Sequence, residues 1–202
     1  ISKIDLLILT HGDYDHIGDT INLLNEIKVD EVLFNNDSFN DTENKIIKVL
    51  NKKNIRYSKN SEYFRKIKDL YFLNTKMYDN ENDNENDNST VVYFTYENFS
   101  FLFTGDASKE REEDIMKNYN IKDVSFLKVG HHGSKTSTGS SFIKKINPKY
   151  SIISVGENNR YGHPNNEALK NLANSKIYRT DLDGSIEIKL NKNSYKIRTC
   201  PP

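Results

Sequence analysis

The chain opens on an apolar run, Ile4 to Leu9, whose length and lack of alternation predict a strand buried on both faces. A polar stretch, HGDYDHIGD, follows, and then Ile17, Ile21, Leu24 and Ile27 recur at the spacing of a helix face. Glu31 to Phe34 reads as a second short strand. Asp41 to Lys53 reads as a helix with Ile46, Ile47 and Leu50 inward, capped by Asp41 with Asn44 in the third position. Further on, VVYFTYE and FSFLFTG bracket Asn98 as a strand pair. Lys109 to Asn118 is a charged helix, Val124 to Val129 a strand, and Ser140 to Ile146 a short helix closed by Pro148. Tyr150 to Val155 is a strand, Asn165 to Ala173 a helix just after Pro164, and KIYRT, GSIEIKL and SYKIRT are three closing strands. The alternation predicts an α/β fold, with residues 1–202 as a single domain.

One stretch stands apart. Tyr78 to Thr90 is acidic, Asn-rich and of low complexity, and it lacks the Gly-punctuated spacing of a calcium loop, so a solvated loop is expected there. The 202 residues suffice for a core without a disulfide or metal staple. The 29 Lys and Arg balance 29 Asp and Glu, which excludes a polybasic nucleic-acid binder but leaves room for a nuclease with basic residues gathered locally. The 27 Asn depress the mean hydropathy without implying disorder, because 22 Phe and Tyr remain to build a core. The single cysteine, Cys200, excludes an intrachain disulfide framework. No apolar run approaches a bilayer-spanning length, and the amino end lacks the basic-then-apolar order of a signal peptide. The first residue is Ile1, so the chain reads as a processed or truncated piece of a longer protein.

The five histidines fall in three clusters, His11 with His16, His131 with His132, and His163, and a fourth segment adds a carboxylate. His11-Gly-Asp13-Tyr-Asp15-His16 follows the first apolar run. Imidazoles and carboxylates at this spacing, where a strand gives way to a helix, converge on one volume, and a divalent cation would offset their concentrated charge. Mixed nitrogen and oxygen ligands suit Zn²⁺ or Mn²⁺, and the lack of Cys weakens the case for a closed structural zinc. The plainer alternative is a polar turn with His16 lying on the helix. Phe101-Leu-Phe-Thr-Gly105-Asp106 ends a second apolar strand in a carboxylate, although Asp106 would also serve as the N-cap of a helix from Ala107 onward. Val129-Gly130-His131-His132-Gly133-Ser134 ends a third, and His163 lies in Tyr161-Gly162-His163-Pro164. Strand ends are where α/β sheets place their sites.

Taken in that order, H-x-D-x-D-H, F-T-G-D and G-H-H-G-S resemble the metallo-β-lactamase fold. With LKVGHHGSKTS, SVGENNRYGHP and YRTDLDGSI, the chain is similar to the carboxy-terminal domain of ComEC-type competence proteins and their stand-alone relatives, from about Ile4 to Ile197. The resemblance implies an αβ/βα sandwich with a hydrolase site for two divalent metal ions, Zn or Mn, here apparently without its first strands. It implies that His11 and Asp13 hold one metal, Asp15 and His16 the second, with Asp106 bridging and His131 or His132 completing the second site. His163 is a further ligand or a donor to the transition state. The His that many members carry between His16 and Asp106 is absent, so the first ion would draw on Asp13, Asp106 or His163. Asp15 or Asp106 would orient the attacking water.

For this branch the resemblance implies DNA, a single strand in the first instance, as substrate. It implies no membrane contact within this chain, and a membrane-channel partner or a fused domain upstream. Such a soluble domain would be extracytoplasmic, or membrane-associated through that upstream sequence. Ser134, Lys135, Thr136 and Ser137 offer hydroxyls and one cation suited to a phosphate, against a plain polar loop. Asn158, Arg160 and Tyr161 suit a second phosphate contact or base stacking. Tyr178 to Gly184 reads as a turn between strands, with Asp183-Gly184 as its hinge. The alternatives to a nuclease are hydrolysis of another ester or amide, a lactam included, and a non-catalytic metal-binding fragment.

Overall fold

Residues 1–62, 67–73 and 85–201 are described by the computed structural model, and they gather into two units, each with its own sheet and apolar core. The first comprises Ile1–Lys66 and Asn74–Thr90, the second Ile67–Leu73 and Val91–Pro202.

In the first unit the elements are β1 (Lys3–Ile4), β2 (Leu7–Ile8), α1 (Tyr14–Ile17), α2 (Thr20–Glu26), β3 (Lys28–Val29), β4 (Glu31–Phe34), α3 (Asp41–Lys53) and β5 (Arg56–Lys59). Parallel pairing gives the order β2-β4-β5, while β1 pairs with β3. The expected continuous strand Ile4–Leu9 is therefore two short pieces, because the chain changes partner at Asp5 and Leu6. Ile4, Leu7 and Ile8 stay half-buried, and only Leu9 of that run is fully buried. The helical stretch from Ile17 to Ile27 is likewise broken, at Gly18 and Asp19.

Helix α3 has the bounds its pattern suggests, but its cap lies one residue earlier than expected. The cap is Asn40, not Asp41: its side chain accepts from the amides of Thr42 and Glu43, and Glu43 reaches back to the Asn40 amide at 2.9 Å. Glu43, three residues on, makes this reciprocal pair possible, whereas Asn44 cannot serve Asp41 in the same way. Such a cap contributes about 1 kcal/mol. Ile46 and Leu50 then bury against Leu9, Ile17, Leu24, Val32 and Phe34, at roughly 1.5–3 kcal/mol for each aliphatic side chain.

The stretch expected as a solvated loop needs correction at its carboxyl end. Asn88, Ser89 and Thr90 are buried, the Thr90 amide donates to the Thr10 carbonyl at 2.8 Å, and Asn60 Nδ2 donates to Thr90 Oγ1 at 2.9 Å. Residues 78–84 of that stretch lie outside the described residues.

In the second unit the elements are β6 (Leu70–Phe72), β7 (Val92–Tyr96), β8 (Phe99–Phe103), α4 (Lys109–Asn118), β9 (Phe126–Lys128), α5 (Ser140–Ile146), β10 (Tyr150–Ile153), α6 (Asn166–Asn171), β11 (Lys176–Arg179), α7 (Thr180–Asp183), β12 (Ser185–Asn191) and β13 (Ser194–Cys200). Six strands pair in the order β11-β10-β9-β8-β7-β6, antiparallel from β6 to β8 and parallel from β8 to β11. Phe101, Phe126, Tyr150 and Lys176 share one row across the parallel strands. The neighbouring Leu102 and Leu127 point to the other face. There they join Ile115, Phe142, Ile146 and Leu172 in the core under α4, α5 and the segment after α6. Of the three closing strands expected, one is β11 in this sheet and the other two form the hairpin β12-β13. Among the described residues no helix is long and apolar enough to cross a membrane.

This topology decides where chemistry can sit. Strands β8, β9 and β10 are parallel neighbours, so the loops leaving their carboxyl ends emerge along the same edge. Those loops carry Asp106, His131 with His132, and His163.

Candidate metal centre

In the first unit the candidate ligands leave the end of β2. His11 is buried, and its Nδ1 lies 3.1 Å from Thr10 Oγ1 and 3.3 Å from Ser89 Oγ. The Thr10 hydroxyl is also 3.3 Å from His16 Nδ1, so one hydroxyl braces both imidazoles, whose ring centroids are 4.0 Å apart. The opposite nitrogens meet carboxylates: His11 Nε2 is 3.6 Å from Asp13 Oδ2, and His16 Nε2 is 3.7 Å from Asp15 Oδ2. The close turn at Gly12 is held by Asn40 Nδ2, which donates to the Gly12 carbonyl at 2.9 Å.

In the second unit Asp106 is buried and lies outside any helix. The expected cap role falls to Ser108, because α4 starts only at Lys109. His131 Nε2 and His132 Nε2 lie 3.7 and 3.9 Å from the same oxygen, Asp106 Oδ2. Both histidines have left-handed backbones, with φ of 45° and 53°. The strain is held by the His131 amide donating to the Gly105 carbonyl, and by Ser137 Oγ donating to the Gly130 carbonyl at 2.9 Å. His132 Nδ1 is 2.8 Å from the Ser154 carbonyl, which can only accept. That bond fixes the proton on Nδ1 and leaves the Nε2 lone pair turned toward Asp106, the arrangement of a metal-ligating histidine.

His163 completes this edge, with its ring centroid 5.8 Å from that of His131. Burial pushes its imidazole pKa down, the neighbouring His131 and His132 push the same way, and Asp106 opposes them. Its Nδ1 is buried and has no hydrogen-bond partner among the described residues. Burial also holds the Lys128 amine below its ordinary range, against the pull of the Asp106 charge, while Lys128 Nζ donates to the Val129 carbonyl at 3.1 Å.

The expected phosphate loop divides in two. Lys135 and Thr136 are exposed, and Thr136 Oγ1 also lies 3.2 Å from His131 Nδ1. Ser134 and Ser137 are buried, with Ser134 Oγ bonded to Thr136 and Ser137 Oγ to backbone. Asn158 and Tyr161 are exposed in the loop that leads to His163. Several supporting residues carry no sequence signal of their own. Glu112 is buried on α4 and accepts from the amides of Thr138 and Gly139 at 2.6 and 2.7 Å, tying that helix to the loop after the paired histidines. Burial pushes its carboxyl up to about 7, although those two amides and Lys109 pull it back. Ser89, Thr10, Asn40 and Ser154 belong to the same class.

The donor set fits divalent cations. Each unit offers imidazole nitrogens and carboxylate oxygens separated by 3.6–3.9 Å, beyond a good hydrogen bond and close to the spacing of two atoms that share an ion. The buried Nδ1 of His163 adds a further donor or acceptor at the edge of the second set.

The family profile described as the metallo-beta-lactamase superfamily matches residues 1–77 and 81–157. The chain belongs to this superfamily. Metal-dependent hydrolysis is the function that membership carries. The chain is 35% identical over 208 residues to ComE operon protein 3 of Bacillus subtilis (strain 168), a match that covers all of this chain and 26% of that protein. It is 36% identical over 101 residues to Competence protein ComA of Neisseria gonorrhoeae, covering 48% of this chain and 14% of that protein. It therefore spans about a quarter of the first relative's length. Among solved structures, a candidate metal-dependent hydrolase from Parabacteroides distasonis superposes with a TM-score of 0.54 at 16% identity, covering 90% of this chain and 78% of that one. A variant of CmlA beta-hydroxylase superposes at 0.52 with 12% identity, covering 89% and 43%. These two likenesses bear on the fold alone, and they agree with the metallo-β-lactamase architecture expected from the motifs.

Proposed function

We propose that this superfamily member is a phosphodiesterase acting on DNA, with His11, Asp13, Asp15, His16, Asp106, His131 and His132 holding two divalent ions, Zn²⁺ or Mn²⁺. The observation that carries the hydrolytic part is the convergence of Asp106, His131 and His132 from adjacent parallel strand ends, with both Nε2 atoms directed at one carboxylate oxygen. The DNA part is supported by the competence relatives and by a third, Recombination protein 2 of Haemophilus influenzae, 32% identical over 101 residues and covering 49% of this chain and 13% of that protein. A single strand is the favoured form. A membrane-channel partner or a fused upstream domain would deliver it, and the chain itself would make no membrane contact.

When bound, the ions supply an activated water and neutralise charge on the attacked phosphoryl group. The protein's own residues then have distinct tasks. Asp15 and Asp106 orient the attacking oxygen through their carboxylates. The Ser154 carbonyl keeps His132 in the tautomer that presents Nε2. His163 holds a proton for an oxygen of the substrate, and Lys135 contacts a neighbouring phosphate, with Thr136 beside it. Ser134 and Ser137 brace the loop that presents them. Asn158 offers an amide to the same strand.

The test is to incubate the chain with end-labelled single-stranded and duplex DNA in Mn²⁺, with Asp106→Ala alongside. Cleavage by the starting chain that falls at least a hundredfold in the variant is expected, since the lost group both binds metal and orients the attacking oxygen. Equal turnover by the two proteins would overturn the site assignment.

A further inference from the structure

The loop Gly156–His163 presents a built aromatic surface beside this centre. Asn159 ties the loop into one shape: its Nδ2 donates to the carbonyls of Gly156 at 3.2 Å and His163 at 2.7 Å, and its Oδ1 accepts from the His163 amide at 2.9 Å. On this frame Tyr161 is 74% exposed, and its ring stacks on His163 with centroids 5.9 Å apart and 20° between planes. His163 in turn meets the edge of His131. A row of rings thus leads from solvent to the imidazole beside Asp106. The Arg160 guanidinium lies 5.9 Å from the Tyr161 centroid, adding a cation to the outer end. Space around the loop is open, for a Cβ added at Gly156 or Gly162 would meet nothing within 4 Å.

An exposed tyrosine alone is ordinary. One carried on a clamped loop and stacked on the imidazole beside the proposed centre, with a cation at hand, matches what single-strand binders use: a π-face for a base and a positive charge for the adjoining phosphate. A duplex hides its base faces, so such a platform serves an unpaired base only. We propose that Tyr161 stacks an unpaired base next to the scissile phosphate, with Arg160 on that nucleotide's phosphate, and that this pair selects single-stranded over duplex DNA. The inference rests on the reading of the centre as a DNA phosphodiesterase and names the residues that would choose the strand form.

The sequence contains no Trp, so Tyr161→Trp introduces a sole indole whose emission reports stacking. With a short single-stranded oligonucleotide, quenching is expected. With an abasic sugar-phosphate oligomer of equal charge, it is not. In parallel, Tyr161→Ala should weaken binding of the labelled single strand on the order of tenfold and leave duplex binding unchanged, while Tyr161→Phe retains single-strand affinity. An unquenched indole on a bound oligonucleotide, or equal loss for both strand forms, overturns the inference while single-strand cleavage by the starting chain keeps the phosphodiesterase reading. Failure of the starting chain to bind or cleave either form would remove both.

Discussion

Glycine at position 133 is required both by its backbone conformation and by the closeness of Pro164. Its φ is +79°, a region that side-chain-bearing residues occupy at a cost, and an added Cβ would sit 2.6 Å from Pro164 Cβ and 3.2 Å from Pro164 Cα. The neighbour that would have to move is the residue after His163, whose backbone is pinned by Asn159 and, through the Asn165 amide, by the Gly133 carbonyl at 2.8 Å. The adjacent His131 and His132 already carry left-handed backbones, on the order of 1–2 kcal/mol each. Gly133→Ala is therefore expected to cost about 1–3 kcal/mol. For a chain of this length that lowers the melting temperature by several degrees, at about 2–4 °C per kcal/mol. Gly156→Ala, where the new methyl has open space, should stay within about 0.5 kcal/mol. Equal melting temperatures for the two variants would contradict the packing described.

Between elements, the informative link is Glu112, which joins α4 to the turn that leads into α5 through the amides of Thr138 and Gly139. Burial raises its carboxyl from an ordinary value of 4.5 to about 7 in the folded chain. Between those two pH values the folded state binds more protons than the unfolded one, so this group's contribution to stability is full below pH 4.5 and declines as pH rises through 7. Glu112→Gln removes the titration, so the difference in unfolding free energy between pH 5 and pH 7.5, followed by urea denaturation, should be smaller in the variant. An unchanged difference would show that Glu112 does not titrate in this window. Glu112 also marks what the sequence could and could not reveal. The strand ends that carry the proposed ligands were legible as strand ends because an apolar run followed by Gly and His or Asp is a local pattern, as at Thr104-Gly105-Asp106. The braces were not, because each depends on a partner distant in the chain: Ser89 lies 78 residues from His11, and Ser154 lies 22 from His132. Caps failed for a subtler reason. Asp41 and Asp106 have the right chemistry, but Asn40 and Ser108 have the right backbone, and composition alone does not separate neighbours one or two residues apart. The Ser134–Ser137 loop shows the same limit, since four polar residues in a row do not say which two turn inward.

Across the whole molecule, net charge is zero, yet carboxylates and imidazoles are concentrated at the ends of β2, β8, β9 and β10. Such clusters make the folded chain a better host for a divalent ion than the unfolded chain, in which the same residues are spread over some 150 positions of sequence. An ion that binds only the folded form stabilises it by about 2.7 kcal/mol at a hundredfold excess over its dissociation constant. That corresponds to a rise of roughly 5–10 °C in melting temperature for a chain of this size. Thermal melts with Mn²⁺ or Zn²⁺ against melts in EDTA should show this rise. Asp106→Ala, in the second unit, and His11→Ala, in the first, should each lose most of it, because each removes a proposed ligand. The comparison is independent of turnover, so it tests the ligand assignment even for a chain that needs a further segment to act on DNA. If EDTA leaves the melt unmoved and metal does not raise it, the two clusters are polar turns after all, and the hydrolytic reading loses its physical basis in this chain.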